Sequence, residues 1–204
     1  MKQYGFYFDA TRCTGCKTCV IACCDKNGLE DGRRFRRVLP FEDGGWKQDR
    51  MTGAWRQNVT HGYVSVSCSH CEDPACVKVC PTKAHFKRAE DGLVVIDREK
   101  CIGCGMCARA CPYGVPQLDA KRGKMLKCDG CVARTSRGMM PVCVESCPER
   151  ALEFGDIEEL RRKHGLVDSV APLPDAGITK PSIVIKPCRT AKPAGFEGGK
   201  AHRF

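Results

Sequence analysis

The stretch CTGCKTCVIACC, residues 13 to 24, places five cysteines within twelve positions. Four of them follow one another at steps of three, three and four residues: Cys13, Cys16, Cys19 and Cys23. Thiols at so short a pitch cannot all pair with one another as disulfides, but a tight loop can aim them at one face of a small inorganic core. The spacing therefore predicts four metal ligands and leaves Cys24 as an unligated thiol, with an exchange of roles between Cys23 and Cys24 as the alternative.

Three further groups of four cysteines follow along the chain. The third group repeats the C-x2-C-x2-C-x3-C spacing, the second widens one gap to four residues, and the fourth widens it to eleven. These groups are Cys68, Cys71, Cys76, Cys80; then Cys101, Cys104, Cys107, Cys111; then Cys128, Cys131, Cys143, Cys147. This is the spacing of bacterial ferredoxins, in which three close cysteines hold one cubane cluster and the fourth reaches the other cluster of a pair.

The cysteine groups are internal repeats of one another. FYFDATRCTGCKTC (6 to 19) aligns without a gap with VVIDREKCIGCGMC (94 to 107). PACVKVCPTKA (74 to 84) likewise aligns with PVCVESCPERA (141 to 151). Such self-similarity indicates a duplicated module, with eight ligands in each two-cluster copy.

The cysteine content leaves a choice between an oxidised disulfide scaffold and a metal protein. Eighteen of the 204 residues are cysteines, and the N-terminal MKQYGFYFDA has neither an apolar segment nor a cleavage site. We therefore expect no secretory signal, and metal ligands rather than disulfides. Structural zinc usually takes two well-separated cysteine pairs, whereas three-cysteine loops recur here. No apolar run approaches the ~18 residues that span a bilayer.

The net charge and the missing motifs exclude other classes of function. The charge of +10 would suit a nucleic-acid partner, but the basic residues are scattered and do not alternate with aromatic ones. Four thiolate-bound [4Fe–4S] clusters would lower that charge to about +2. The sequence has no phosphate loop, nucleophile elbow or dinucleotide fingerprint. We predict no catalytic residues, no nucleic-acid partner and a role in electron transfer.

The predicted fold class is α+β, with two duplicated ferredoxin-like modules of two [4Fe–4S] clusters each, rich in loops. Short strands are expected at YGFYF, YVSVS, LVVID and ALEF, and a short helix is expected to begin around each fourth ligand. The insert at residues 25–67 is interpreted as a hairpin around Gly44 and Gly45.

The C-terminal part is predicted to form a helix and an extended arm. Asp156 and Glu159 form a capping-box pattern, and Gly165 ends the helix. Beyond it, the many prolines and few apolar residues argue against a core strand. The β-prone patch at 183–185 is expected to be exposed and to dock the arm onto a partner.

The sequence resembles the iron–sulfur electron-transfer subunits of bacterial dimethyl sulfoxide reductases along nearly its whole length. The stretches that carry the resemblance are QYGFYFD, RCTGCKTC, GAWRQNV, HCEDPACVKVCP, CIGCGMCARACPYGVPQ, KCDGC, CVESCPERALEFG, APLP and TKPSIVIKP. The four-group pattern alone also fits the β subunits of formate dehydrogenase, polysulfide or thiosulfate reductase and nitrate reductase. A free polyferredoxin is a further alternative, which the insert and the C-terminal part disfavour.

The resemblance implies a subunit of an anaerobic respiratory complex. Electrons would pass from a quinol-oxidising membrane anchor, through four [4Fe–4S] clusters, to a molybdopterin catalytic subunit that reduces sulfoxides or N-oxides. The chain would associate with the membrane through these partners. It would lie on the cytoplasmic face, or reach the periplasm by co-export with a catalytic partner that carries the signal.

The resemblance also implies a nested assignment of ligands, whereas spacing alone leaves sequential pairing open. The four sets would be Cys13, Cys16, Cys19, Cys147; Cys23, Cys128, Cys131, Cys143; Cys68, Cys71, Cys76, Cys111; and Cys80, Cys101, Cys104, Cys107. Nitrate reductase relatives have tryptophan and a three-iron cluster where this chain has Cys104, so four cubanes are expected. The first module would comprise residues 1–24 and 121–155, the insert 25–67, the second module 68–120, and the helix and arm 156–204.

Overall fold

A computed structural model describes residues 2–202 and has short strands and helices joined by long loops. The strands are β1 Tyr4–Asp9, β2 Arg37–Asp43, β3 Trp46–Gln48, β4 Trp55–Gln57, β5 Thr60–Val66, β6 His85–Lys87, β7 Val94–Ile96, β8 Gln117–Asp119, β9 Lys124–Leu126, β10 Leu152–Asp156, β11 Ile183–Lys186 and β12 Lys200–Ala201. The helices are α1 Thr18–Asn27, α2 Ala75–Lys78, α3 Met106–Ala110, α4 Val132–Thr135, α5 Val142–Glu145 and α6 Ile157–His164. The α+β, loop-rich fold class is confirmed, and the predicted strands correspond to β1, β5, β7 and β10.

One three-stranded sheet has the strand order β10-β1-β11. β1 pairs antiparallel with β10 and parallel with β11. Phe6, Tyr7 and Phe8 on consecutive positions of β1 are all buried, so both faces of the sheet are covered. Phe6 and Phe8 belong to the main core, which also contains many of the cysteines. Tyr7 packs with the helix α6 on the opposite face.

The strand β11 shows that the prediction of an exposed C-terminal patch was wrong. Ile183, Val184 and Ile185 are at most 7% exposed and pair with β1 of the same chain. β11 is an edge strand, and Pro181 and Pro187 flank it without interrupting it, a placement that proline permits. The segment after α6 has too few apolar residues to form a core by itself. It forms a strand because β1 supplies the backbone hydrogen-bond partner.

Residues 179–182, just before β11, also fasten the second cysteine loop. The backbone N–H groups of Asp73 and Glu72 donate to the carbonyls of Thr179 and Lys180, at 3.1 and 2.8 Å. The N–H of Ser182 donates to the carbonyl of Ser69 at 2.9 Å. The C-terminal part of the protein therefore supports the loop that carries Cys68, Cys71 and Cys76.

The insert forms two nested hairpins, with the short hairpin β3–β4 lying in the chain between the paired strands β2 and β5. β2 and β5 pair along seven residues, and β12 pairs with the other edge of β2. Beyond them the chain continues into the short hairpin β3–β4. Its turn lies at residues 49–53, where the Asp49 carboxylate accepts from the N–H groups of Met51 and Thr52. The predicted turn at Gly44 and Gly45 was therefore wrong, because these glycines form the junction between the two hairpins.

The helices near the cysteines begin earlier than the sequence predicted. α2, α3 and α5 contain the third cysteine of their groups and end before the fourth, whereas α1 contains both Cys19 and Cys23. The cap of α6 agrees with the prediction, since Asp156 accepts from the N–H groups of Glu158 and Glu159 and Gly165 follows the last turn. Among residues 2–202 no helix is long and apolar enough to cross a membrane.

Candidate metal centres

The first set of thiols joins the N-terminal cysteine loop to the last cysteine of the fourth group. One cavity is lined by Cys13, Cys16, Cys19 and Cys147, with apolar side chains from β1, β2 and β10. The backbone N–H of Ala151 donates to Cys147 Sγ at 3.4 Å. Gly15 gives the loop its shape with a φ of 73°, and a Cβ at that position would lie 2.3 Å from the Tyr63 ring. A tight glycine turn therefore presents three thiols to one wall of the cavity.

The second set gathers Cys23, Cys128, Cys131 and Cys143 around the facing helices α1 and α5. Burial, together with the neighbouring thiols of Cys143 and Cys131, raises the pKa of Cys23 to about 12. Burial also raises the pKa of Cys128 well above its ordinary value. The N–H of Gly130 donates to Cys128 Sγ at 3.4 Å.

Cys24 points away from this set. Its thiol donates to the carbonyl of Arg33 at 3.8 Å, and Arg34 Nη1 lies 3.9 Å from the sulfur. Cys188, the other cysteine outside the groups, lies near Thr190 in the C-terminal segment. The two consecutive thiols thus face different surroundings, and the register of α1 turns Cys23 toward Cys143.

The third set comprises Cys68, Cys71, Cys76 and Cys111. Burial raises the pKa of Cys71 to about 11 and of Cys76 to about 12, and the nearby thiols of Cys68 and Cys111 contribute to both increases. Cys68 behaves in the opposite way, because His70 and Lys127 overcome its burial and lower its pKa to about 5. The surroundings of Cys68 therefore favour its thiolate form.

The fourth set comprises Cys80, Cys101, Cys104 and Cys107. Cys101 and Cys107 are buried in a small core of their own, against which Cys80 packs. Burial, with the thiols of Cys101 and Cys104 nearby, raises the pKa of Cys107 to about 11. The N–H groups of Met125 and His85 donate to Cys101 Sγ and Cys80 Sγ, at 3.4 and 3.5 Å.

The two solvent-exposed thiols belong to different sets. All eighteen cysteines lie within the described residues, and among them only Cys16 and Cys104 are exposed. Cys16 belongs to the first set and Cys104 to the fourth. Electron exchange with another protein requires such accessible edges, whereas the thiols of the second and third sets are buried or half-buried.

Two buried cations next to the cysteines were not anticipated from the sequence. Arg36 is 2% exposed; its Nη1 and Nη2 donate to the hydroxyls of Ser65 and Ser67 at 2.9 Å each, and its guanidinium lies 4.8 Å from the centre of the Phe6 ring. Lys127 is 7% exposed. The position of Lys127 directly before Cys128 could have indicated a cation beside the proposed ligands. Nothing in the sequence distinguishes Arg36 from its neighbours Arg33, Arg34 and Arg37.

His70 is a further buried polar group beside a thiol. Its side chain is fully buried, and Nδ1 accepts from the N–H of Val94 at 3.0 Å. The proton is therefore assigned to Nε2, which has no hydrogen-bond partner among the described residues. A buried N–H donor beside Cys68 fits an anionic cluster at that place.

The donor chemistry suits iron–sulfur clusters. Sixteen thiols in four sets, with backbone N–H groups directed at several sulfurs, form the environment that holds and tunes [4Fe–4S] centres. Within residues 2–202 no three His, Cys, Asp or Glu side chains converge closely enough to hold a single metal ion. Because most of the thiol pKa values are raised, binding of the clusters must displace protons from the cysteines.

Comparison with known proteins places this protein among iron–sulfur proteins. A family model for a 4Fe-4S dicluster domain matches residues 59–157, and one for a 4Fe-4S binding domain matches residues 10–28. The probable anaerobic dimethyl sulfoxide reductase chain YnfG of Escherichia coli K12 is 57% identical over 97% of this chain and 95% of its own length. The B subunit of anaerobic dimethyl sulfoxide reductase from the same strain is 56% identical over the same shares. The thiosulfate reductase electron transfer subunit PhsB of Salmonella typhi is 40% identical over 77% of this chain and 78% of its own length.

Proposed function

Because this protein belongs to the family of anaerobic dimethyl sulfoxide reductase B subunits, we propose that it relays electrons from a quinol-oxidising membrane anchor to a molybdopterin subunit. That catalytic partner reduces dimethyl sulfoxide or N-oxides, and this chain has no active site of its own. The observation that carries the proposal is the series of four thiol sets with one exposed thiol in the first and one in the last. The thiosulfate reductase subunit is 40% identical to this chain, whereas the dimethyl sulfoxide reductase chains are 56–57% identical. This difference favours a dimethyl sulfoxide reductase over the other molybdopterin oxidoreductases.

Each thiol set is proposed to hold one [4Fe–4S] cluster, with ligands shared between modules in the nested manner. The clusters are held by Cys13, Cys16, Cys19, Cys147; Cys23, Cys128, Cys131, Cys143; Cys68, Cys71, Cys76, Cys111; and Cys80, Cys101, Cys104, Cys107. The cavity that brings Cys147 to the N-terminal loop supports this assignment. The proposed modules are residues 1–24 with 121–155, and residues 68–120. The pairing of β1 with β10 supports the first of them, because it joins its two segments.

The protein positions, insulates and tunes the clusters, which supply reversible one-electron chemistry when bound. The main core packs around the first three sets and excludes water from most of their thiols. N–H groups directed at Cys80, Cys101, Cys128 and Cys147 stabilise negative charge on the sulfurs. The exposed edges at Cys16 and Cys104 are the places where electrons leave to, or arrive from, the partner subunits.

The protein is proposed to associate with the membrane through these partners. Its relatives are named as chains or subunits of reductases, which supports a multi-subunit complex. The anchor subunit provides the membrane attachment, and the catalytic subunit, if it carries an export signal, takes this chain to the periplasm with it.

Metal and sulfide analysis of anaerobically purified protein tests the proposal. We expect about sixteen irons and sixteen acid-labile sulfides per chain. The clusters of the whole complex should be reduced by a quinol analogue and reoxidised by dimethyl sulfoxide. Zinc in place of iron, or clusters that quinol does not reduce, would overturn the electron-relay function.

A further inference from the structure

Arg36 lies beside the first set of thiols, because its Nη1 donates to the hydroxyl of Ser65 at 2.9 Å and Ser65 lines the cavity that contains that set. The sulfurs that act most strongly on its guanidinium are those of Cys143, Cys19 and Cys128, and they outweigh burial to raise the pKa of the arginine. Cys19 belongs to the first set, and the other two belong to the second. A guanidinium stays protonated in proteins, so a fixed positive charge lies at the junction of these two sets.

Lys127 occupies the corresponding place between the second and third sets. Its Nζ lies 3.5 Å from Cys68 Sγ in the third set and 2.8 Å from the carbonyl of Cys128 in the second. It also donates to the carbonyl of Val94. Three acceptors match the three N–H bonds of an ammonium group, so this side chain is positioned as a cation.

Neither buried cation has a carboxylate partner. Among residues 2–202, the ion pairs formed by Asp and Glu involve other lysines, arginines and histidines. An uncompensated buried charge is costly, and a buried cation therefore requires an anion nearby. The groups placed to supply that anion are the cysteine sulfurs and the clusters that they are proposed to hold.

We propose that Arg36 and Lys127 are positioning charges that set the reduction potentials of neighbouring clusters in pairs. Arg36 raises the potentials of the first and second clusters, and Lys127 raises those of the second and third. Reduction adds one negative charge to a cluster, so a fixed cation beside it favours the reduced form. The second cluster receives both effects. This inference rests on the cluster assignment made above.

Redox titration of the intact complex, monitored by EPR, tests the pattern. Arg36→Gln and Lys127→Gln should each lower most strongly the midpoint potentials of the two clusters beside the substituted residue. One and the same cluster should respond to both substitutions. We expect at least a tenfold loss in the equilibrium constant for reduction, which is about 59 mV for a one-electron couple.

Charge-conserving variants separate charge from structure. Arg36→Lys and Lys127→Arg should keep the full iron content. Their clusters should have midpoint potentials close to those of the wild type. Lys163→Gln, on the exposed surface of α6, should change no midpoint. If a neutral variant loses iron, retention of iron by its charge-conserving counterpart supports a requirement for the cation.

Three results would overturn the inference. In the first, the neutral variants contain all their iron and the four midpoint potentials are unchanged. In the second, the midpoint potentials of all four clusters shift by the same amount. In the third, the neutral and the charge-conserving variants have the same midpoint potentials. A wild-type protein without about sixteen irons would instead contradict the proposed function.

Discussion

Truncation of the protein before Ala171 should prevent it from accumulating with its clusters, although the deleted segment contains none of the proposed ligands. The deletion removes the buried side chains of Leu173, Ile183, Val184 and Ile185, each at most 7% exposed. It also removes the parallel partner of β1 and the hydrogen bonds from residues 179–182 to the second cysteine loop.

The size of the effect follows from the buried area. Full burial of one such aliphatic side chain contributes about 1.5–3 kcal/mol, so four contribute about 6–12 kcal/mol as an upper estimate. Small proteins have about 5–15 kcal/mol of total stability. Loss of the segment therefore removes an amount of free energy comparable with this total, and the cluster of the third set, whose cysteine loop the segment fastens, should be lost first.

A variant that ends at Pro187 is the matched control. It keeps β11 and removes the residues from 188 to 204, and none of the described ones among them, 188–202, is buried. We expect this control to retain its full iron and sulfide content after anaerobic purification, and the shorter variant to retain less than half. A shorter variant with full iron content, assembled normally with its partners, would refute a structural role for β11.

Four further substitutions test individual positions in the cysteine loops. Cys24→Ser should leave all four clusters intact, whereas Cys23→Ser should lose or convert one, and EPR of the reduced proteins showing the reverse would contradict the assignment. Cys104→Ser should leave a three-iron cluster in the fourth set, visible as a new EPR signal in the oxidised state; an unchanged oxidised spectrum would count against this ligand. Gly15→Ala should destabilise the first set, because its φ is 73° and the added Cβ would meet the ring of Tyr63 at 2.3 Å; iron loss on mild heating, compared with the wild type, measures the effect.

The cysteine groups, the α+β class and the electron-transfer function could be predicted from the sequence because they depend on local spacing. A loop such as 13–19 carries its ligand pattern and its glycine within a few residues, and the strands beside the loops show β-rich runs. The cap of α6 was equally local, since Asp156 and the N–H groups that it accepts from lie within three residues. The short-range pattern of the sequence thus determined where the candidate ligands lie.

Only the tertiary structure decided which distant segments meet. Residues 183–185 appeared to be an exposed patch because the edge of β1, their partner, lies about 180 positions earlier in the sequence. In the sequence, Arg36 resembles its neighbours Arg33, Arg34 and Arg37, and only the fold buries it. Cys147 reaches the N-terminal loop because β10 pairs with β1. Pairing and burial of this kind depend on contacts across the whole protein, and a local pattern does not contain them.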